Sequence, residues 1–163
     1  MDFDKLSKLI FEEIIPKLEK NKGVYVFAKH RAKFEGWLKV ELCESLSKYF
    51  QNVVPEKDRI DIVCDDWAIE LKTVNTNYRF KNVENKTPPI TKNVNGVIKD
   101  IEKLEKLKPL NYVNKAILFV VFPVDGSCKM WKNHLQKIQN KLREIKSKEF
   151  RFKNEIPGIV YFG

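Results

Sequence analysis

Residues 115–122, KAILFVVF, form an almost unbroken apolar run. A strand of this composition is typical of the centre of a sheet that is covered on both faces, because none of its positions suits contact with water. Strands of this kind occur where helices pack above and below the sheet. The run therefore predicts a layered α/β fold.

Periodic patterns in the rest of the chain predict the other elements. Apolar residues recur at helical spacing in four segments: 3–18, 31–50, 91 to about Pro109, and 129–148. Four further segments have the composition of strands: 52–55, 59–64, 67–74 and 158–162. The state of residues 24–27 stays open, and the polar stretch 75–92 predicts a long loop. This order predicts an α/β sandwich with a mixed sheet.

Composition limits the size and the partners of the domain. The 163 residues, 43% of them hydrophobic, suit one globular domain over residues 1–163. Lysine and arginine number 31 against 22 acidic residues, which gives a net charge of +9. A surface of this charge attracts polyanions such as nucleic acids, although lysine-rich surfaces also occur in proteins that bind none.

Several other classes of protein are not indicated. Cys43, Cys64 and Cys128 are odd in number and far apart, which does not suit a disulfide framework or a zinc knuckle. The acidic start does not resemble a signal peptide, and no apolar run is long enough to span a bilayer. Phosphate-binding glycine motifs are missing, so we expect no nucleotide cofactor. The sequence predicts a soluble cytoplasmic protein without a membrane partner.

The segment 61–73, DIVCDDWAIELKT, carries the most specific functional pattern. Side chains alternate between the faces of a strand, so Glu70 and Lys72 project from the same side. A hairpin turn around residues 65–66 would place Asp61 beside Glu70. Two carboxylates and one ammonium would then converge, forming an acidic pocket for a hard divalent cation with a lysine at its rim.

The Glu-x-Lys triple is uninformative without this context. The same triple occurs at 84–86 and at 144–146. The first of these lies in the polar loop, and the second lies in a predicted helix, where residues two apart point in different directions. Only the triple at 70–72 lies on a predicted strand that follows another strand bearing an acid.

These residues resemble the PD-(D/E)xK nuclease superfamily. The matching features are Asp61, the triple 70–72 and a glutamate in the preceding helical segment 34–42, FEGWLKVEL. The resemblance covers about residues 31–122 as the core, with an N-terminal helix and a C-terminal helix and strand as additions. Proline does not directly precede Asp61, although Pro55 lies nearby. The resemblance implies a restriction-endonuclease-like α/β/α sandwich with a central mixed sheet.

The resemblance also implies an activity, which is Mg²⁺-dependent hydrolysis of DNA phosphodiester bonds, with Mn²⁺ as a substitute metal. The implied metal ligands are Asp61, Glu70, the main-chain carbonyl of Leu71, and Glu41. Lys72 would orient the attacking water or stabilise charge on the phosphate. Glu41 is preferred as the helix glutamate and Glu35 is its close alternative, because both lie at the margins of the apolar stripe. All four side chains Asp61, Glu70, Lys72 and Glu41 are therefore expected to be catalytic.

Substrate contacts are expected just before the second predicted helix and just after the strand that carries Glu70 and Lys72. The candidate DNA-binding residues are Lys29, Arg31, Lys33, Asn75, Asn77 and Arg79. RNA stays open as a substrate beside DNA, and a homodimer is expected by analogy with the family. Two other interpretations remain: a non-catalytic module that binds nucleic acid or protein, and an α/β protein whose charge serves only solvation.

Overall fold

Six strands form one mixed sheet within residues 1–108 and 112–163, the part of the chain that the computed structural model describes. The strands are β1 (Val53–Pro55), β2 (Ile62–Cys64), β3 (Trp67–Asn75), β4 (Asn114–Phe122), β5 (Lys146–Arg151) and β6 (Pro157–Phe162). Their spatial order is β1-β2-β3-β4-β6-β5. Strands β3 and β4 are parallel, and the other described pairs are antiparallel.

Strand β4 lies in the interior of this sheet, between β3 and β6. Every residue from Ala116 to Phe122 is buried. Ile117 and Phe119 pack into the core on one face, whereas Leu118 and Val120 pack into the core on the other. The central, doubly covered strand predicted from the apolar run is therefore confirmed.

Five helices supply the covering layers of the described chain. They are α1 (Phe3–Lys20), α2 (Lys22–Lys29), α3 (Glu35–Leu46), α4 (Ile90–Glu105) and α5 (Lys129–Gln139). Helices α1 to α3 contribute to the core on one face of the sheet, and α4 and α5 contribute to the core on the other. None of the helices in this part of the chain has the length and apolar composition to cross a bilayer.

The first three strands form the predicted antiparallel meander. A turn through Asp65, whose φ is 46°, joins β2 to β3. The register sets Cys64 opposite Trp67 and Ile62 opposite Ile69. One step further along the strands, Asp61 therefore lies opposite Glu70, as the predicted hairpin requires.

Several predicted elements have different bounds in the structure. The strand predicted over 59–64 is only Ile62–Cys64, because Lys57–Arg59 form a short 3₁₀ helix. The helix predicted over 129–148 ends at Gln139, and Lys146–Arg151 is instead the edge strand β5. Phe150 is the one buried residue of β5, so this strand lacks the apolar alternation by which strands are recognised. The helix predicted over 31–50 covers only Glu35–Leu46. Helix α4 ends at Glu105, and its predicted end near Pro109 lies outside the described residues.

The interior position of β4 leads to a stability prediction. Phe119 is fully buried and stacks on Tyr161 with ring centroids 4.8 Å apart. We expect Phe119→Ala to lower the free energy of unfolding by about 3–5 kcal/mol, because a large cavity would remain in the core. Urea unfolding measures this change. The control is Val113→Ala, because Val113 is 74% exposed and its truncation should change the free energy of unfolding by less than about 0.5 kcal/mol.

Candidate functional site

The site is built where β2 ends while β3 continues. Pairing between these strands stops at Ile62 and Ile69, whereas β3 runs on to Asn75 alongside β4. Beyond Ile69, no strand among the described residues pairs with the outer edge of β3. The backbone groups of Leu71 and Thr73 on that edge are bonded by carboxylates instead.

Asp61 occupies the first position on this open edge. Its Oδ2 accepts a hydrogen bond of 2.8 Å from the Leu71 N–H, and its Oδ1 lies 2.7 Å from Nζ of Lys39 on α3. Burial alone would raise the pKa of Asp61, but the Lys39 ammonium and the Leu71 N–H outweigh it and leave the pKa lowered. Asp61 is therefore a fixed carboxylate at neutral pH.

Glu35, in the first turn of α3, occupies the next position. Its Oε1 accepts hydrogen bonds from the backbone N–H of Thr73 at 3.0 Å and from the Thr73 hydroxyl at 3.3 Å. Residues two apart on a strand are about 7 Å apart, and the N–H and C=O of one strand residue point to the same edge. The Leu71 carbonyl therefore points to the open edge between the Asp61 and Glu35 carboxylates.

Glu70 lies beside Asp61 and is turned toward α4. Its side chain is 5% exposed, and its Oε1 is 2.5 Å from Nζ of Lys103. Burial raises the pKa of Glu70 to about 7, opposed by Lys103 and reinforced by the neighbouring Asp61 carboxylate. Of the two adjacent carboxyl groups, Asp61 therefore keeps the charge and Glu70 binds the proton more readily.

Lys72 projects from the same face of β3 as Glu70. Its Nζ lies 2.7 Å from Oδ2 of Asp100 on α4. Burial would lower the pKa of Lys72, but the Asp100 carboxylate outweighs it and the pKa is raised. The ammonium is therefore charged at neutral pH, and the structure brings Asp61, Glu70, Leu71 and Lys72 together.

Glu41, the preferred helix glutamate, does not join this cluster. Its Oε2 lies 2.8 Å from Nζ of Lys17 on α1. Six residues along a helix correspond to a rotation of about 240° between Glu35 and Glu41, so the two side chains leave α3 in different directions. The alternative, Glu35, is the glutamate of α3 that reaches β3.

Two of the predicted DNA-binding residues are buried in a structural network. Arg31, which has a left-handed backbone with φ of 52°, is 5% exposed. Its guanidinium donates hydrogen bonds to the backbone carbonyls of Thr76, Tyr78 and Glu84. The Asn75 side chain is also buried and donates to the Arg31 carbonyl. These two residues hold the loop after β3 in place and cannot offer their side chains to a phosphate.

The other predicted DNA-binding residues are accessible. Lys29, Lys33, Asn77 and Arg79 are exposed. Lys29 and Lys33 flank the buried Arg31, and Asn77 and Arg79 lie in the loop that Arg31 anchors. The exposed side chains of both segments therefore remain predicted contacts for the phosphate backbone.

The ion-pair partners of Asp61, Lys72 and Glu70 also belong to the cluster, and the sequence pattern does not predict them. They are Lys39, Asp100 and Lys103. Asp100 had a detectable signal, because it follows Val97 by three residues and precedes Leu104 by four on the buried stripe of α4. A carboxylate at such a position needs a partner. The identity of the partner depends on how α4 crosses β3, which the sequence pattern does not specify.

No protein-family model, curated protein or solved structure matches this chain. In the described ranges, no group of three His, Cys, Asp or Glu side chains is gathered closely enough to hold a metal ion. The carboxylates of the cluster are instead interleaved with lysines. The arrangement of these residues therefore distinguishes this place as the candidate site.

The raised pKa of Glu70 predicts a pH-dependent effect of neutralising it. In the folded protein the pKa is about 7, against an ordinary value of 4.5. The free energy of unfolding therefore falls as the pH rises from about 4.5 to about 7, because Glu70 ionises in the unfolded chain before it ionises in the folded protein. In metal-free buffer, Glu70→Gln should raise the free energy of unfolding by about 3 kcal/mol above this range and by almost nothing below it.

Urea unfolding at a series of pH values measures this difference. Glu105→Gln is the matched control, since Glu105 is an exposed glutamate on the same helix as Lys103. A gain for Glu70→Gln that is the same at every pH would contradict the explanation.

Proposed function

We propose that this protein is a Mg²⁺-dependent endonuclease that hydrolyses DNA phosphodiester bonds. One observation carries the proposal: the Asp61 and Glu70 carboxyl groups adjoin one another where β2 stops and β3 continues, with the charged Lys72 two residues further along β3. A net charge of +9 favours a polyanionic substrate. The helix–sheet–helix layers and the β1–β3 meander are compatible with a restriction-endonuclease-like fold.

The donor set suits a hard divalent cation. Two carboxyl groups are held together although burial, and after it the Asp61 carboxylate, raise the pKa of Glu70, and a cation relieves such repulsion. Asp61, Glu70 and the Leu71 carbonyl would hold Mg²⁺, or Mn²⁺ in its place. Mg²⁺ needs only one or two carboxylates in such sites, because water and substrate phosphate supply its other ligands. When bound, the cation polarises the phosphate and lowers the pKa of a bound water.

The residues of the chain have separate tasks in this proposal. The Lys72 ammonium supplies a fixed positive charge for a phosphate oxygen. Lys39 keeps Asp61 ionised and oriented through its contact of 2.7 Å. Glu35 closes the open edge of β3 on the side away from Asp61. The exposed Lys29, Lys33, Asn77 and Arg79 would contact the DNA backbone.

Cleavage of supercoiled plasmid and of branched DNA tests the proposal. We expect Mg²⁺-dependent or Mn²⁺-dependent nicking that falls at least about a hundredfold in Asp61→Asn and in Lys72→Ala, because a charge-stabilising group is removed from the site in each. Lys146→Ala is the matched control, since Lys146 belongs to another Glu-x-Lys triple and pairs with Asp4 away from this cluster. Circular dichroism verifies that each variant is folded.

The alternative function is a module that binds nucleic acid without cleaving it. It is favoured by the lysine contacts that already neutralise Asp61 and Glu70. If no DNA is cut while the native protein and both variants bind DNA equally, with an affinity that falls steeply as salt increases, the alternative is correct. Weak binding that does not respond to salt would contradict both functions.

The two glutamates of α3 give a second prediction. Glu35→Gln keeps an acceptor for the Thr73 N–H but removes a charge from the cluster, so we expect at least about a tenfold loss of cleavage rate. Glu41→Gln removes only the negative charge that faces Lys17 on α1, and its rate should stay within about twofold of the native rate. Plasmid nicking under single-turnover conditions measures both, and the reverse order would restore Glu41 as the helix glutamate.

A further inference from the structure

Helix α4 presents a stripe of three residues to the functional face of β3. Gly96, Asp100 and Lys103 are spaced four and three residues apart, which places them on one side of the helix. Asp100 contacts Lys72 and Lys103 contacts Glu70. Helix α4 therefore pairs an acidic residue with Lys72 of β3 and a basic residue with Glu70 of β3.

Gly96 lies beside the stem of Lys72. A Cβ atom at this position would lie 3.4 Å from Cε of Lys72, which is an ordinary van der Waals separation. The stem of Lys72 therefore passes beside Gly96 to reach Asp100, one helical turn further along α4.

The contact with Asp100 is partly shielded from water. The side chain of Lys72 is 24% exposed and that of Asp100 is 18% exposed. Lysine has four rotatable side-chain bonds and retains many conformations when it has no fixed partner. The half-buried Asp100 carboxylate, whose Oδ2 lies 2.7 Å from Nζ as an ion-pair contact and accepts no hydrogen bond from the described residues, restricts that freedom through its charge.

We propose that Asp100 is a positioning residue that holds the Lys72 ammonium in place over the site. This inference rests on the proposed nuclease function, in which Lys72 must meet a phosphate oxygen. Asp100 reaches the substrate only through Lys72, so its loss should slow the chemical step without weakening DNA binding. Misplacing a catalytic group by about 1 Å is sufficient to cost a large part of the rate.

The variant Asp100→Asn keeps the shape of the side chain and removes its charge. We expect kcat for plasmid nicking to fall about tenfold or more while KM for DNA stays within about twofold. Glu102→Gln is the matched control, because it neutralises another acid of α4 whose partner, Lys141, lies 3.1 Å away outside the site. Its kcat should stay within about twofold of the native value.

A second measurement does not depend on activity. A lysine ammonium held by a carboxylate exchanges its protons slowly enough to give a ¹H–¹⁵N signal at mildly acidic pH and low temperature, and Lys72→Arg assigns that signal. We expect the Lys72 signal in the native protein and in Glu102→Gln, and its loss in Asp100→Asn. The remaining backbone spectrum shows that each variant is folded.

The two measurements separate the possible failures. The inference is overturned if Asp100→Asn keeps the Lys72 signal, if the native protein lacks that signal, or if Asp100→Asn keeps the native kcat. If the native protein cuts no DNA with either metal, the proposed nuclease function is rejected, and the NMR comparison alone decides whether Asp100 holds Lys72.

Discussion

The candidate site depends on the early end of β2. Because β3 continues for six residues beyond its last pairing with β2, the N–H groups of Leu71 and Thr73 lose the partners that a neighbouring strand would supply. A buried N–H without a partner costs free energy, so the fold must provide acceptors there. Asp61 and Glu35 provide them, from two different elements. The requirement of the backbone for acceptors thus gathers carboxylates at one place.

The second constraint is that charges on the α4 face of β3 cannot be left alone. Glu70 and Lys72 are both largely removed from water, and a buried charge is stable only when it is paired. Helix α4 supplies the partners Lys103 and Asp100. The acidic and basic side chains therefore pair with one another, so the folded protein holds these charges without a bound ligand.

Much of this arrangement could be predicted because it is local. The apolar run gave the position of β4, and the alternation of strand side chains together with a short turn set Asp61 beside Glu70. The partners Lys39, Asp100 and Lys103 could not be predicted, since each contact joins elements that are distant in sequence. Arg31 illustrates the same limit: a basic residue before a helix suggests phosphate binding, whereas its environment is set by a loop more than forty residues later. Strand β5 was missed because an exposed edge strand has almost no apolar pattern.

The anchoring of the loop after β3 divides it into two parts. Arg31 fixes the carbonyls of Tyr78 and Glu84, but residues 79–83 between these anchors receive no hydrogen bond from it. Within this segment Phe80 and Val83 pack against the core. Arg79, Lys81 and Asn82 are exposed, so substitutions there would alter the surface of the loop while its base stays in place. The chain therefore carries exposed positions that can vary without disturbing the anchors of the loop or the proposed site.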